Sequence, residues 1–223
     1  MKRAPVITKD GSHSIAVPEL NVMYHSVHGA LQESLHVFIH AGWAHWTAQN
    51  PGQPVRIFEM GFGTGLNVLL TMDEAMKSGT HVYYETLECD PLTTEEAMAL
   101  NYCEQLQRPD LLPFFRQLHT SAWEADIKIH DSFILNKTKD DLLTFVPKNK
   151  SDIIYYDAFA PAAQPECWTI PVFKKLYSMM NPSAILVTYC SKSAVRRNMT
   201  AAGFHVEKIP GPRGKREMVR GNR

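Results

Sequence analysis

Apolar residues along the chain follow two spacings, and the places where one gives way to the other mark its elements. The sharpest change falls in Val55-Arg-Ile-Phe-Glu-Met-Gly-Phe-Gly-Thr-Gly-Leu-Asn67. Val55 to Met60 reads as a short buried strand, and Gly61, Gly63 and Gly65 then open a helix running through Val68, Leu69, Leu70 and Met72. Upstream, residues 1 to 24 predict a small strand pair turned at Lys9-Asp10-Gly11-Ser12, with Ile15, Val17 and Val22-Met23-Tyr24 as apolar positions. A helix follows from about Ala30 to Ala48, with Leu31, Leu35, Phe38, Ile39, Gly42 and Trp46 on one face.

Downstream the alternation repeats. His81 to Glu88 reads as a second strand, and Thr93 to Glu96 has the form of a capping box at a helix start. Ile127 to His130 predicts a third strand ending at Asp131, Lys139 to Phe145 a helix or turn, and Ile153 to Tyr156 a fourth strand ending at Asp157. A helix over Thr169 to Met179, a fifth strand over Ala184 to Cys190 and a helix from Ser193 to Ala202 come next. A hairpin of Phe204 to Ile209 with Glu217 to Arg220 closes the chain around Gly211-Pro-Arg-Gly214. This order predicts an α/β fold, a doubly wound and mostly parallel sheet with a C-terminal antiparallel hairpin. We expect one domain over residues 1–223, with 1–50 as an N-terminal extension and 51–223 as the α/β core.

In such sheets ligands sit beyond the carboxyl ends of the strands. Four acids fall there on this reading: Glu59, Glu88, Asp131 and Asp157. Three glycines in a strand-to-helix turn let a backbone approach a ligand closely, because no Cβ intervenes. The spacing is Gly-x-Gly-x-Gly, with Leu66 where a dinucleotide fingerprint has its third glycine. Glu59 before the loop would repel a pyrophosphate but suits a ligand with an amino group and a sulfonium, such as S-adenosylmethionine (SAM). Gly61, Gly63, Gly65, Asn67 and Glu59 are therefore candidate cofactor residues. Glu88, 23 residues beyond Gly65, can accept both ribose hydroxyls, and Asp131 can accept from the adenine amino group or simply belong to a loop. Asp157 stands in Tyr155-Tyr156-Asp157-Ala-Phe159-Ala-Pro161, where an acceptor can hold an amine nucleophile while Phe159 or Trp168 stacks on a base or packs in the core.

Charge adds an uneven distribution. The 223 residues carry 23 bases and 23 acids, but residues 192 to 223 hold nine of the bases and two of the acids. Lys192, Arg196, Arg197, Arg213, Lys215 and Arg216 form a candidate phosphate-binding patch on an otherwise acidic body. No run of 18 apolar residues and no apolar signal core is present, so a cytoplasmic protein without a membrane span is expected. Cys89, Cys103, Cys167 and Cys190 form no C-x-x-C pair, and His36 and His40, four apart, lack a third ligand at recognisable spacing. No metal is expected.

Gly61-Phe-Gly-Thr-Gly-Leu-Asn67, Asp157-Ala-Phe-Ala-Pro161 with Gln164-Pro-Glu-Cys-Trp-Thr169, and Gly211-Pro-Arg-Gly-Lys-Arg-Glu-Met218 resemble the methyltransferase domain of the MnmC family of tRNA wobble-uridine enzymes and its stand-alone form MnmD. Tyr24-His-Ser26 with Gly29 and Glu33, and Pro91-Leu-Thr93, are similar too. The resemblance covers nearly the whole chain. It implies a class I SAM-dependent methyltransferase fold, the tRNA anticodon stem-loop as partner, and conversion of 5-aminomethyl-2-thiouridine to 5-methylaminomethyl-2-thiouridine. With it, Tyr24, Phe159 and Trp168 become substrate candidates and Asp157 the catalytic candidate. The fused relatives carry a flavin-dependent oxidase domain, whereas this chain is expected to be the flavin-free form; it also departs from the family at Pro212. The competing expectations are a small-molecule amine methyltransferase or aminopropyl-transferring enzyme on the same fold, and a non-catalytic nucleotide- or RNA-binding module.

Overall fold

The computed structural model describes residues 2–147 and 149–223. Strands β1 (Ala4–Ile7), β2 (His13–Val17) and β3 (Val22–Met23) form a three-stranded antiparallel sheet. Helix α1 (Ala30–Ser34) continues through a π-helical stretch, Leu35–Ala44, into α2 (His45–Gln49). Then come β4 (Val55–Met60), α3 (Leu66–Ser78), β5 (Val82–Leu87), α4 (Thr94–Met98), α5 (Tyr102–Gln105) and α6 (Leu112–Thr120). The chain finishes with β6 (Asp126–His130), β7 (Phe133–Thr138), β8 (Ser151–Tyr156), α7 (Ile170–Ser178), β9 (Met180–Thr188), α8 (Ser193–Ala201), β10 (His205–Pro210) and β11 (Glu217–Asn222). The predicted capping box is present at Thr93, which accepts from Glu96 N–H while Glu96 accepts from Thr93 N–H. Among the described residues no helix is long and apolar enough to cross a membrane.

The large sheet has the order β10-β11-β9-β8-β4-β5-β7-β6. Strands β9, β8, β4, β5 and β7 are mutually parallel, and antiparallel pairs close both ends, β10–β11 at one and β6–β7 at the other. From β4 the chain builds outward through β5 to β7 and then returns to β8 on the other side of β4. That reversal is where a doubly wound sheet opens a crevice.

Alternation along each strand fills two apolar layers. Val55, Ile57, Tyr84, Ile153 and Tyr155 face α3, α6 and the long N-terminal helix, while Phe58, Met60, Ile154, Tyr156 and Leu186 face α7 and α8. The N-terminal helix crosses close to the sheet because it presents Gly42, where a Cβ would lie 3.0 Å from the Tyr155 ring and 3.1 Å from Val187.

One expected strand direction is corrected. The strand over Ile127–His130 exists, but it runs antiparallel and pairs with β7, which the sequence reading did not assign. β7, not β6, is the parallel neighbour of β5. Asp131 therefore sits in the β6–β7 turn at the amino-terminal edge of the parallel strands, among Pro54, Val55, His81 and Val82.

Candidate active site

Two loops meet at the reversal point. The segment after β4 is stitched to its neighbours by Gly61 N–H donating to Leu87 O (2.9 Å), and the segment after β8 by Asp157 N–H donating to Met60 O (3.1 Å). Between them lies a crevice lined by Tyr24, Gly61, Gly63, Asn67, Glu88 and Asp157, with Phe62, Cys89, Phe159 and Gln164 at its margins. Gly63 and Gly65 have φ of +48° and +70°. A Cβ would meet the Tyr24 ring at 3.0 Å in the first case and His119 Nε2 at 2.9 Å in the second, so both conformation and space require glycine.

Glu88 presents both carboxylate oxygens to this loop: Oε2 accepts from Gly63 N–H and Oε1 from Asp90 N–H, each at 2.9 Å. Asn67, in the first turn of α3, donates from Nδ2 to Asp157 Oδ2 at 3.0 Å. Its buried Oδ1 has no hydrogen-bond partner among the described residues. Burial pushes the Asp157 carboxyl up to about 7, with the neighbouring Glu33 charge adding to the rise and Asn67 and Lys215 opposing it.

Glu59 is placed otherwise than expected. Strand alternation puts it on the face of Ile57 and Tyr155, one residue short of the strand end, where it is fully buried and accepts from Thr86 Oγ1 at 2.7 Å. It does not line the crevice. Burial raises its carboxyl to about 8, helped by the charge of Asp157 and opposed by Thr86, Asn67 and Tyr84. At neutral pH it is therefore mostly protonated and supplies no counter-charge to a cationic ligand. The acids that face the crevice are Glu88 and Asp157.

Asp131 is also removed from the site: its side chain is 88% exposed and pairs with Lys128 at 2.7 Å. The acids that follow the parallel strand β7 are Asp140 and Asp141, and the charge of Asp141 reaches Cys89 at the crevice margin. Trp168 is a third correction. Its ring is buried against Tyr156, at a centroid distance of 5.0 Å, and its indole N–H donates to Phe159 O at 2.8 Å. It supports Phe159 from behind and offers no face to a base. Phe159 itself is partly open and meets Tyr24 edge-on, with centroids 5.3 Å apart.

A second pocket opens on the far side of Asp157 and shares Tyr24, Phe159 and Asp157 with the crevice. Glu33, Tyr189 and Lys215 line it as well. Of the six basic candidates, Lys192, Arg197, Arg213 and Arg216 are exposed, and Arg196 is tied to Ser191 O and Ser193 Oγ. Lys215 turns inward instead. Sequence reading gave Glu33 and Gln164 no role and could not pair Glu33 with Lys215, because the two are 182 positions apart. His36 Nε2–H donates to Pro210 O, and among the described residues no group of three His, Cys, Asp or Glu could hold a metal.

The family model for S-adenosyl-L-methionine-dependent methyltransferases matches residues 104–223, more than half of the chain. The chain belongs to that family. This methyltransferase is 32% identical, over 96% of its length, to the tRNA 5-methylaminomethyl-2-thiouridine biosynthesis bifunctional protein MnmC of Cupriavidus metallidurans. It spans about a third of the length of the curated relatives it matches. Among solved structures, MnmC2 from Aquifex aeolicus superposes with a TM-score of 0.80 at 22% identity, covering 99% of this chain and 69% of that one. Spermidine synthase from Thermotoga maritima superposes with a TM-score of 0.58 at 12% identity, covering 98% of this chain and 67% of that one. Both likenesses establish the fold: a class I methyltransferase sheet. The methyltransferase's crevice fits SAM on its own terms, with a glycine cradle that any Cβ would fill, a carboxylate facing it at Glu88 and a free acceptor at Asn67 Oδ1.

Proposed function

We propose that this methyltransferase acts on the primary amine of 5-aminomethyl-2-thiouridine at the tRNA wobble position, giving 5-methylaminomethyl-2-thiouridine in the cytoplasm. The observation that carries the reading is the junction of two pockets at Asp157: a cofactor crevice on one side and an aromatic, charged pocket on the other. Similarity to a protein named for that modification, extending over 96% of this chain, supports the choice of substrate. Residues 1–50 belong to the same working unit as 51–223, since Tyr24 and Glu33 contribute to the second pocket.

In this reading Glu88 takes the ribose hydroxyls, the glycine loop allows close approach of the backbone, and Asn67 Oδ1 receives the ligand's amino group. SAM, when bound, would supply a methyl group on a sulfonium, and the S–C bond would break as an amine lone pair took the methyl carbon. The amine must therefore enter unprotonated. A free alkylamine titrates at roughly pKa 10, so at pH 7 about one in a thousand is neutral, a deficit of about 4 kcal/mol. Asp157, raised to about 7 by burial, exists in both forms near neutrality. Its ionised form orients the amine and accepts the proton that the substrate ammonium must lose, then releases it to solvent. Asn67 holds the carboxylate in place, and positioning supplies most of the remaining acceleration.

Phe159 and Tyr24 grip the unstacked uridine, and the exposed bases bind phosphates around the anticodon loop. Lys208 holds the Glu217 carboxyl below its usual range, and the charges of Arg216 and Arg196 act in the same direction, which places the start of α8 within reach of the closing hairpin. The test is incubation with methyl-labelled SAM and tRNA bearing 5-aminomethyl-2-thiouridine, followed by nucleoside analysis. Label in 5-methylaminomethyl-2-thiouridine supports the reading; label in a free amine without RNA, or in another nucleoside, replaces it.

A further inference from the structure

The acceptor pocket contains a fixed cation, Lys215. Lys215 Nζ lies 2.6 Å from Glu33 Oε1 and 3.9 Å from the centroid of the Tyr189 ring. Both partners are anchored. Glu33, its side chain 9% exposed, accepts from Ser26 N–H at 2.7 Å through its other oxygen, and Tyr189 OH donates to Ala158 O at 2.9 Å, one residue from Asp157. The hairpin turn aims the lysine: Lys215 N–H donates to Pro212 O at 2.8 Å and Gly211 N–H to Arg216 O at 3.2 Å. Arg213 and Arg216, on either side, remain exposed.

Resting on the amine-acceptor reading above, we propose that Lys215 keeps the substrate's aminomethyl group in its neutral, nucleophilic form by holding a positive charge on the wall of the acceptor pocket. Without that charge the pocket would present two carboxyl groups, Glu33 and Asp157, to the entering nitrogen, and each ionised carboxylate favours an ammonium. Lys215 neutralises Glu33 and places a like charge beside the amine, so both effects act in the same direction. A carboxylate-only pocket would bind the substrate well and leave it unreactive. No bond in Lys215 changes: the proton leaves the substrate ammonium for Asp157 and then solvent, and the lone pair it frees forms the N–C bond.

The groups around Lys215 are Glu33 from α1, Asp157 after β8, Tyr189 and Cys190 after β9, His25 and His28 from the segment before α1, and its neighbours Arg213 and Arg216. Burial holds the Tyr189 and Cys190 protons to higher pH than usual and holds His25 neutral, at about 4. His25 and Tyr189 therefore supply no transition between pH 7.5 and 9.5 that imitates the amine, and Asp157, which Lys215 also holds down, titrates nearer 7.

The experiment is the pH profile of kcat at saturating aminomethyl-bearing tRNA and SAM from pH 6 to 9.5 for wild type, Lys215→Met and Lys215→Arg, with KM for tRNA and SAM affinity measured alongside. In Lys215→Met the rising limb, set by loss of the amine's proton, should move up by about one pH unit, so that activity falls roughly tenfold at pH 7 and recovers at high pH. Lys215→Arg should restore the wild-type profile, and SAM affinity should be unchanged in both. A Lys215→Met profile that keeps the wild-type shape, with the loss confined to KM for tRNA, would make Lys215 a phosphate contact and overturn the inference. A pH-independent loss in kcat would overturn it as well. Wild type that methylates no aminomethyl uridine at any pH defeats the amine reading, and this inference with it.

Discussion

At the carboxyl edge of the large sheet, Glu88 and Asp157 face a crevice, and one of them is held by burial near neutral pH. At the amino edge, Asp131 and Asp152 also line a groove, but one is a solvated partner of Lys128 and the other accepts from Arg56 N–H and Asn181 Nδ2. The same residue type next to a strand thus does two jobs in one molecule. Direction decides which: loops after parallel strands converge at the reversal between β4 and β8, whereas those before them only tie strand ends together.

The largest test of that contrast is Asp157→Ala, which should lower turnover by roughly 10²- to 10⁴-fold, the usual range for removing a positioned base. SAM affinity should stay nearly constant, and an equal loss in both would contradict the division between the two pockets. Glu88→Ala should weaken SAM binding by roughly 2 to 3 kcal/mol, as expected for hydrogen bonds to a charged acceptor. Calorimetry with unchanged affinity would remove Glu88 from the cofactor site.

Glu59 sharpens the comparison through stability. Its carboxyl keeps its proton to higher pH in the folded chain than in the unfolded one, so its contribution is complete below about 4.5 and is lost as pH rises to about 8. Glu59→Gln cannot titrate, and its stability relative to wild type should improve by on the order of 1 to 3 kcal/mol between pH 5 and 8.5. A constant difference across that range in thermal melts would show that Glu59 is ionised throughout. Arg213→Ala with Arg216→Ala should raise KM for tRNA and flatten its salt slope by about one to two, leaving SAM binding alone. A wild-type slope would send the RNA to another face. Asp131→Ala should change neither activity nor stability by more than about 0.5 kcal/mol, and a measurable loss of SAM affinity would return the amino edge to consideration.

Much of this was legible in the sequence because the signals were local. The glycine-marked change of period at Met60–Leu66, the capping box at Thr93 and the closing hairpin all lie where the spacing put them. β7 escaped because Lys137 occupies a core position: it is fully buried, donates to Leu118 O and His119 O and lies 4.8 Å over the Trp123 ring. A lysine in Phe133-Ile-Leu-Asn-Lys-Thr138 reads as solvent-facing, and losing that strand reversed the apparent end at which Asp131 stands. The burial of Trp168 and the inward turn of Lys215 were hidden for a different reason. Their partners, Phe159 O and Glu33, are chosen by the fold, and a run such as Arg213-Gly-Lys215-Arg216 gives no sign that one of its charges turns inward.

The bond from the Trp168 indole to Phe159 O gives the acceptor loop an optical reporter. An indole's emission responds to whether its N–H is bonded, and this one is attached to the backbone of the residue that receives the substrate ring. A movement of the Phe159 backbone that stretches this bond will therefore change the Trp168 share of the emission, read against a Trp168→Phe control because Trp43, Trp46 and Trp123 emit as well. Substrate entry can then be timed in a stopped-flow instrument with unlabelled tRNA, separately from methyl transfer.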